Sequence, residues 1–175
     1  VGEEVQGDWA IEIVLAVDPS DHFRYRELLA PLLEGHRNFE MLEVHCKKGE
    51  GDTAGSARNV ALRYANSEYV WFVDADDWLC NPLAAYYMVS AADKYGLNAC
   101  ECDFDGPFPC KGSRMMAWLR IMRTELAKAH PFPIERLQED RDMYIELVKD
   151  PNYLSHSGVL HSKFYYYNLS SLCRC

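Results

Sequence analysis

Three carboxylates in four residues, Asp74-Ala75-Asp76-Asp77, directly follow the apolar run Tyr69 to Val73, YVWFV. Carboxylates crowded in this way repel one another, and a bound cation relieves the repulsion. Oxygen-rich ligation of this kind suits Mg2+ or Mn2+. The plainer role is a solvated acidic turn capping the next helix, which Asp77 alone could serve. Placement favours the ligand site, because open parallel sheets bind ligands beyond the carboxyl ends of their strands. His156 and His161 offer a later metal ligand or stand as ordinary loop histidines. Cysteines fall at 46, 80, 100, 102, 110, 173 and 175. Structural zinc sites space paired cysteines about two to four residues apart. The Cys-x-Cys pairs at 100/102 and 173/175 read instead as strand alternation and a frayed terminus.

The elements that must position the acidic cluster follow from periodicity. Ile11 to Val17 (IEIVLAV) is a short apolar run ending in the turn cluster Asp18-Pro19-Ser20-Asp21, hence a buried strand and a loop. Leu28, Leu29, Leu32 and Leu33 recur at helical spacing behind Asp21, a candidate cap. Phe39 to Cys46 alternates as a strand does, and Lys47 to Gly55 (KKGEGDTAG) is a polar, glycine-rich loop. Ser56 to Ala65 presents Val60, Ala61, Tyr64 and Ala65 on one helical face. The unbroken apolar run Tyr69 to Val73 predicts a central parallel strand covered on both faces. A helix over Leu83 to Tyr95 and a strand near Asn98 to Phe104 come next. This alternation indicates an α/β domain with a mostly parallel sheet flanked by helices. Beyond Gly106 the texture changes: Pro107, Pro109 and Gly112 mark a break, and Met115 to His130 reads as an amphipathic helix. Glu135 to Lys149 reads as one more helix, and the tail carries the aromatic run Phe164 to Tyr167.

The chain has 175 residues, 49% apolar and 26% charged, which fits a single domain with a sizeable core. Its formal charge of −9 argues against a nucleic-acid backbone or an anionic membrane surface as the main partner. A phosphate-bearing small ligand stays compatible, since a bound cation reverses the local sign of an acidic cleft. No apolar run is long enough to cross a bilayer. An odd cysteine count and the lack of a recognisable signal peptide lead to the expectation of reduced thiols in the cytoplasm.

The stretch Gly55 to Leu79, GSARNVALRYANSEYVWFVDADDWL, resembles the central signature of family 2 glycosyltransferases. In that family a glycine-containing loop leads to an Ala-Arg-Asn helix, then an apolar strand runs into Asp-x-Asp-Asp. Here these are Ala57-Arg58-Asn59, Tyr69 to Val73, and Asp74 to Asp77. Upstream, IEIVLAVDPSD is similar to the family's second strand and its acidic turn, with Pro19 as a departure. Downstream, WLRIMRTELAKAHPFPIERLQEDR is similar to the segment from a basic helix to a Glu-Asp motif, here Glu139-Asp140. The tail YYYNLSS resembles the aromatic-then-serine stretch that often follows.

The resemblance implies a GT-A (Rossmann-like) fold. Residues 1–106 would form the nucleotide-sugar-binding part, and 107–175 a small helical and aromatic acceptor lobe. It implies that Asp18 contacts the base and Arg58 the base or ribose–phosphate. Asp74 would lie near the ribose or a metal-bound water, and Asp76 would ligate Mn2+ or Mg2+ between the phosphates. Asp140 would be the base that deprotonates the acceptor hydroxyl, with Glu139 catalytic or holding the loop. The donor would be a UDP-sugar, and the reaction would invert the anomeric centre.

One family feature is missing. The family begins with a strand–helix unit ahead of the strand matched by IEIVLAV, and only ten residues precede Ile11. The spacing from Asp18 to Ala57 favours absence of that unit over a shifted alignment. Its absence implies a weakened pocket, a partner chain completing the sheet, or a homo-oligomer formed through the exposed edge. Two alternatives therefore stand beside the transferase. One is a nucleotide-sugar-binding or assembly module without activity. The other is a haloacid dehalogenase-like phosphatase, with Asp74 as nucleophile and Asp76 as acid/base.

Overall fold

A computed structural model describes residues 9–21, 24–36, 38–106, 115–134 and 138–168. In chain order the elements are β1 (Ile11–Val17), α1 (Tyr25–Leu33), β2 (Phe39–His45), α2 (Ala54–Tyr64), β3 (Tyr69–Trp71), β4 (Trp78–Leu79) and α3 (Ala84–Tyr95). They continue with β5 (Ala99–Asp105), a 3-10 turn (Ala117–Leu119), β6 (Arg120–Arg123), α4 (Thr124–Ala129), α5 (Glu139–Leu147), α6 (Pro151–Ser155) and β7 (Ser157–Tyr166).

The domain is α/β, but its strands are divided. β1 and β2 form a parallel pair, and a second sheet has the order β3-β6-β5-β7-β4. In that sheet β5 and β7 run parallel, while β3–β6, β5–β6 and β4–β7 are antiparallel. The expected mostly parallel sheet is thus a mixed one. Met115 to His130 is not one helix: Arg120–Arg123 inserts as β6 between β3 and β5. Its residues face packed layers on both sides, so helical periodicity there was accidental. Tyr69–Val73 is not a central strand either. Only Tyr69–Trp71 of it forms β3, at the edge of its sheet among the described residues, and Val73 beyond it is 46% exposed. The aromatic tail enters the same sheet as β7 rather than a lobe of its own.

Alternation across β5 and β6 splits the core in two. Ala99 and Met122 join Leu62, Phe72, Leu126, Phe132, Met143 and Leu147 on one face. Cys100 and Ile121 join Met88, Trp118, Phe164 and Tyr165 on the other. Glu101 and Arg120 are register partners and both buried, 3.4 Å apart. Tyr153 donates its hydroxyl to Glu101 (2.9 Å) and the Tyr144 ring lies under the Arg120 guanidinium. A charge held this deep needs such partners.

Helix α2 is the element that carries the chemistry, and its start is well specified. Thr53 caps it in a reciprocal box with Ser56. Gly55 lies so close to the following acidic segment that a Cβ there would meet the Pro133 carbonyl at 2.5 Å and the Glu139 side chain at 3.2 Å. This close approach brings the first turn of α2 against the start of α5.

Candidate functional site

Arg58, one turn beyond Gly55, reaches three carboxylates at once. Its Nη2 donates to Asp74 (2.7 Å), and its Nη1 to Asp140 (2.7 Å) and Glu139 (3.1 Å). The guanidinium is 12% exposed, against 30% for Asp74, 15% for Glu139 and 13% for Asp140. It also lies over the Phe132 ring, 5.3 Å from the centroid. One cation facing three partly buried anions leaves the cluster short of positive charge. Burial and the neighbouring Glu139 and Asp74 push Asp140 up to about 6, against the opposing pull of Arg58 and a hydrogen bond from the Ala117 backbone. Arg58 itself is held firmly protonated: burial works against its charge, but the carboxylates outweigh it.

The acidic turn is held from β7. The Asp77 N–H closes the turn on the Asp74 carbonyl (3.1 Å). Tyr165 donates its hydroxyl to Asp77 (2.7 Å) and accepts from the Asp74 backbone N–H (3.1 Å). The Asn168 backbone N–H donates to Asp77 (2.7 Å), and its amide to the Asp76 carbonyl (3.1 Å). Burial raises the Asp77 carboxyl despite these donors, and burial with the adjacent Asp77 pushes the Tyr165 hydroxyl well up. Asp77 is therefore a brace of the turn. The Asp76 side chain stays exposed at its tip.

The remaining candidates lie elsewhere. Asp18, at the carboxyl end of β1, accepts from the Ser20 backbone N–H (2.7 Å) and hydroxyl, an exposed turn outside the Arg58 cluster. His156 bonds Ser155 and His161 bonds Asp103, and neither belongs to the cluster. Among the described residues, no group of three or more His, Cys, Asp or Glu side chains is arranged to hold a metal. Cys46, Cys80, Cys100 and Cys102 are free thiols; Cys110, Cys173 and Cys175 lie outside the described residues. None of the described helices is long and apolar enough to cross a membrane.

Sequence reasoning missed four supports of the site. Asn59 clamps Phe132 through both ends of its amide, donating to the carbonyl (2.8 Å) and accepting from the N–H (2.9 Å). Phe132 stacks edge-on against Phe72, at 4.9 Å, under Arg58. Tyr165 and Asn168 are the other two. A signal existed only for Asn59, which sits inside the Ala-Arg-Asn motif.

The acidic turn after β3, the arginine on α2 and the acidic pair opening α5 define a class. Residues 7–149 match the model of Glycosyl transferase family 2, and the chain belongs to that family. No curated protein matches it. Among solved structures it is similar to S. aureus TarS 1-349 in complex with UDP, at 22% identity and a TM-score of 0.67, covering 91% of this chain and 51% of that one. The same protein with UDP-GlcNAc gives 21%, 0.65, 90% and 49%. Glucosyl-3-phosphoglycerate synthase from Mycobacterium tuberculosis, in complex with Mn2+, UDP-glucose and phosphoglyceric acid, gives 13%, 0.55, 90% and 71%. These likenesses carry the GT-A fold. The chain spans about half the length of the TarS structures it matches.

Proposed function

We propose that the chain transfers a sugar from a nucleoside-diphosphate donor, a UDP-sugar first among them, to an acceptor hydroxyl with inversion. The observation that carries this reading is the Arg58 cluster. One guanidinium draws Asp74, on the donor-side turn, and Asp140, at the start of α5, into contact with itself.

Asp140 is the general base. An acceptor hydroxyl attacks poorly until a positioned carboxylate takes its proton, and a base that titrates near neutrality does so best. Burial places Asp140 at about 6, within that range. Glu139 beside it keeps Arg58 oriented. Asp76, exposed at the tip of the turn, and Asp74 behind it would hold Mn2+ or Mg2+. Mg2+ sites commonly use one or two carboxylates plus substrate phosphates rather than a full protein cage, so this turn fits the ion. When bound, the ion supplies charge neutralisation for the departing diphosphate. Arg58 and Asp18 would contact the donor. The fold in TarS and in the mycobacterial synthase accommodates UDP-sugars, which supports the choice of donor.

The test pairs binding with turnover. UDP and GDP, each with and without Mn2+, should separate by melting temperature, with only the correct base giving a metal-dependent rise that Asp76→Ala removes. The kcat/KM for transfer should rise about tenfold per pH unit up to about pH 6 and then level off as Asp140 ionises. Asp140→Asn should lower kcat by at least about a hundredfold while leaving the nucleotide-induced shift in place. A donor that binds without any turnover, in wild type and variant alike, would make the chain a binding module.

A further inference from the structure

Trp78 and Tyr166 are cross-strand partners of β4 and β7, and their rings lie 4.1 Å apart and 9° from parallel. The neighbours of Tyr166 on either side are spent on packing: Tyr165 and Tyr167 both stack on Trp118, at 4.5 and 5.3 Å. Trp78 differs. Tyr166 covers one face of its indole, yet the residue is still 49% exposed. An exposed apolar side chain is ordinary by itself; what sets this one apart is its place.

Trp78 follows Asp76 by two residues, so their Cα atoms are at most about 7 Å apart. Tyr166 stands two residues before Asn168, whose amide holds the Asp76 carbonyl. The stacked pair therefore borders the tip of the acidic turn. Register fixes its side of the sheet. β5 sends Ala99 into the core shared with Met143 and Leu147 of α5, and alternation puts Asp105 on that same face. Asp105 pairs with Tyr166, and Tyr166 with Trp78. The pair thus lies on the side of the sheet that α5 covers. It also lies at the end where α5 begins, because Tyr165 holds Asp74 and Arg58 joins Asp74 to Asp140.

A flat aromatic face ringed by polar groups defines a ligand chemistry. The negative π face attracts a ring that presents C–H bonds to it. Beside it, the exposed Asp76 carboxylate accepts from hydroxyls, and Asp105 with Lys163 (3.4 Å) offers both an acceptor and a donor. The same carboxylates repel a phosphorylated or carboxylated ligand. A neutral pyranose meets all three conditions, with a C–H face, hydroxyls around its rim and no charge.

We propose that Trp78, backed by Tyr166, is the stacking platform for a neutral pyranose ring of the acceptor, which makes the acceptor a saccharide. Assigning that sugar to the acceptor rests on the transferase reading, in which Asp140 on the same side of the sheet takes the hydroxyl proton. The stacking itself does not depend on it.

The test uses the whole chain and the indole N–H resonance of Trp78, identified by its loss in Trp78→Phe. Methyl β-glucoside, methyl β-galactoside and methyl α-mannoside are titrated in the presence of UDP and Mg2+, with sorbitol supplying hydroxyls without a ring. Ligands of this size bind at about millimolar strength. At least one pyranoside should move the Trp78 resonance saturably. Sorbitol should not, and the indoles of Trp9, Trp71 and Trp118 should stay in place. Saturation transfer to that pyranoside should show about tenfold weaker binding in Trp78→Leu, which is apolar but has no flat face, and near-normal binding in Trp78→Phe. Unchanged amide resonances of β5 and β6 would establish that both variants are folded.

Four results would overturn the proposal. They are no saturable movement with any of the three pyranosides, equal movement with sorbitol, full binding by Trp78→Leu, and movement with UDP-glucose alone. The last would assign the platform to the donor sugar. The transferase reading fails on different data: pyranoside binding at Trp78 without any metal-dependent melting shift from UDP or GDP would sink that reading and keep the platform.

Discussion

β1 of the parallel pair and β5 of the five-stranded sheet have seven residues each, yet they differ sharply in burial. Along β1 only Val17 is buried, and α1 beside the pair has no buried residue, with Leu28 56% and Leu32 70% exposed. β5 buries four residues in succession, Ala99 to Cys102. The cause is the number of neighbours. β5 has β6 and β7 on its two edges and helices over both faces, whereas β1, among the described residues, has β2 alone. Apolar sequence creates a demand for burial, and only a neighbour meets it. The difference also sorts the site. Asp18 sits on the thinly packed pair, while Asp74 and Asp77 are tied to β7 and Asp140 opens a helix buried in the main core.

Five substitutions would break or sharpen this contrast. The largest effect should come from Arg58→Met, which strands three carboxylates that are 30% exposed or less. Removing one partner of a buried charge group costs about 3–5 kcal/mol. Urea unfolding at pH 7 should show a loss of that order, smaller at pH 5, where Asp140 carries a proton. Next, Leu147→Ala, fully buried against the main sheet, should cost about 2–5 kcal/mol. Leu32→Ala on α1 should change stability by no more than about 0.5 kcal/mol. Equal losses at the two leucines would erase the distinction between the regions.

Asp140→Asn should stabilise. The folded-state pKa of Asp140 is raised to about 6 from an ordinary value of 3.8. Below that ordinary value both states hold the proton and nothing is lost. Stability then falls as pH climbs to about 6, because the unfolded chain ionises first. The variant escapes that loss, so its advantage over wild type should grow between pH 4 and 6 and stay level above, at roughly 3 kcal/mol. A gain independent of pH would mean that Asp140 is not the titrating group. Tyr165→Phe removes the hydrogen bond to Asp77 and the one from the Asp74 backbone N–H, and should cost about 2 kcal/mol. Its nucleotide-induced thermal shift should shrink as well, since the acidic turn loses its tie to β7.

Much of this was legible before the structure. β1, α2, α3 and β5 appear where periodicity puts them, because each has a clear apolar face or an unbroken core run. The motif residues Arg58, Asp74, Glu139 and Asp140 do meet in space. β6 was hidden because Arg120 is a buried charge, and a charge inside an apolar stretch imitates the polar face of a helix. β3 differs from expectation because YVWFV carries the apolarity of a strand flanked on both sides, while among the described residues β3 pairs with β6 alone. Phe132, Tyr165 and Asn168 left no trace, since ordinary residues acquire their roles only through the chain's return from far along the sequence.

The shared guanidinium has a kinetic consequence. Arg58 spans the turn that would meet the donor and the base that would meet the acceptor. A diphosphate arriving near Asp74 competes for the same cation. Each bond Arg58 gives up at Asp140 leaves that carboxylate hungrier for a proton. Under the proposed roles, the acceptor hydroxyl would thus find its strongest base only after the first substrate is seated, which would impose a compulsory order of addition and guard the donor against premature attack.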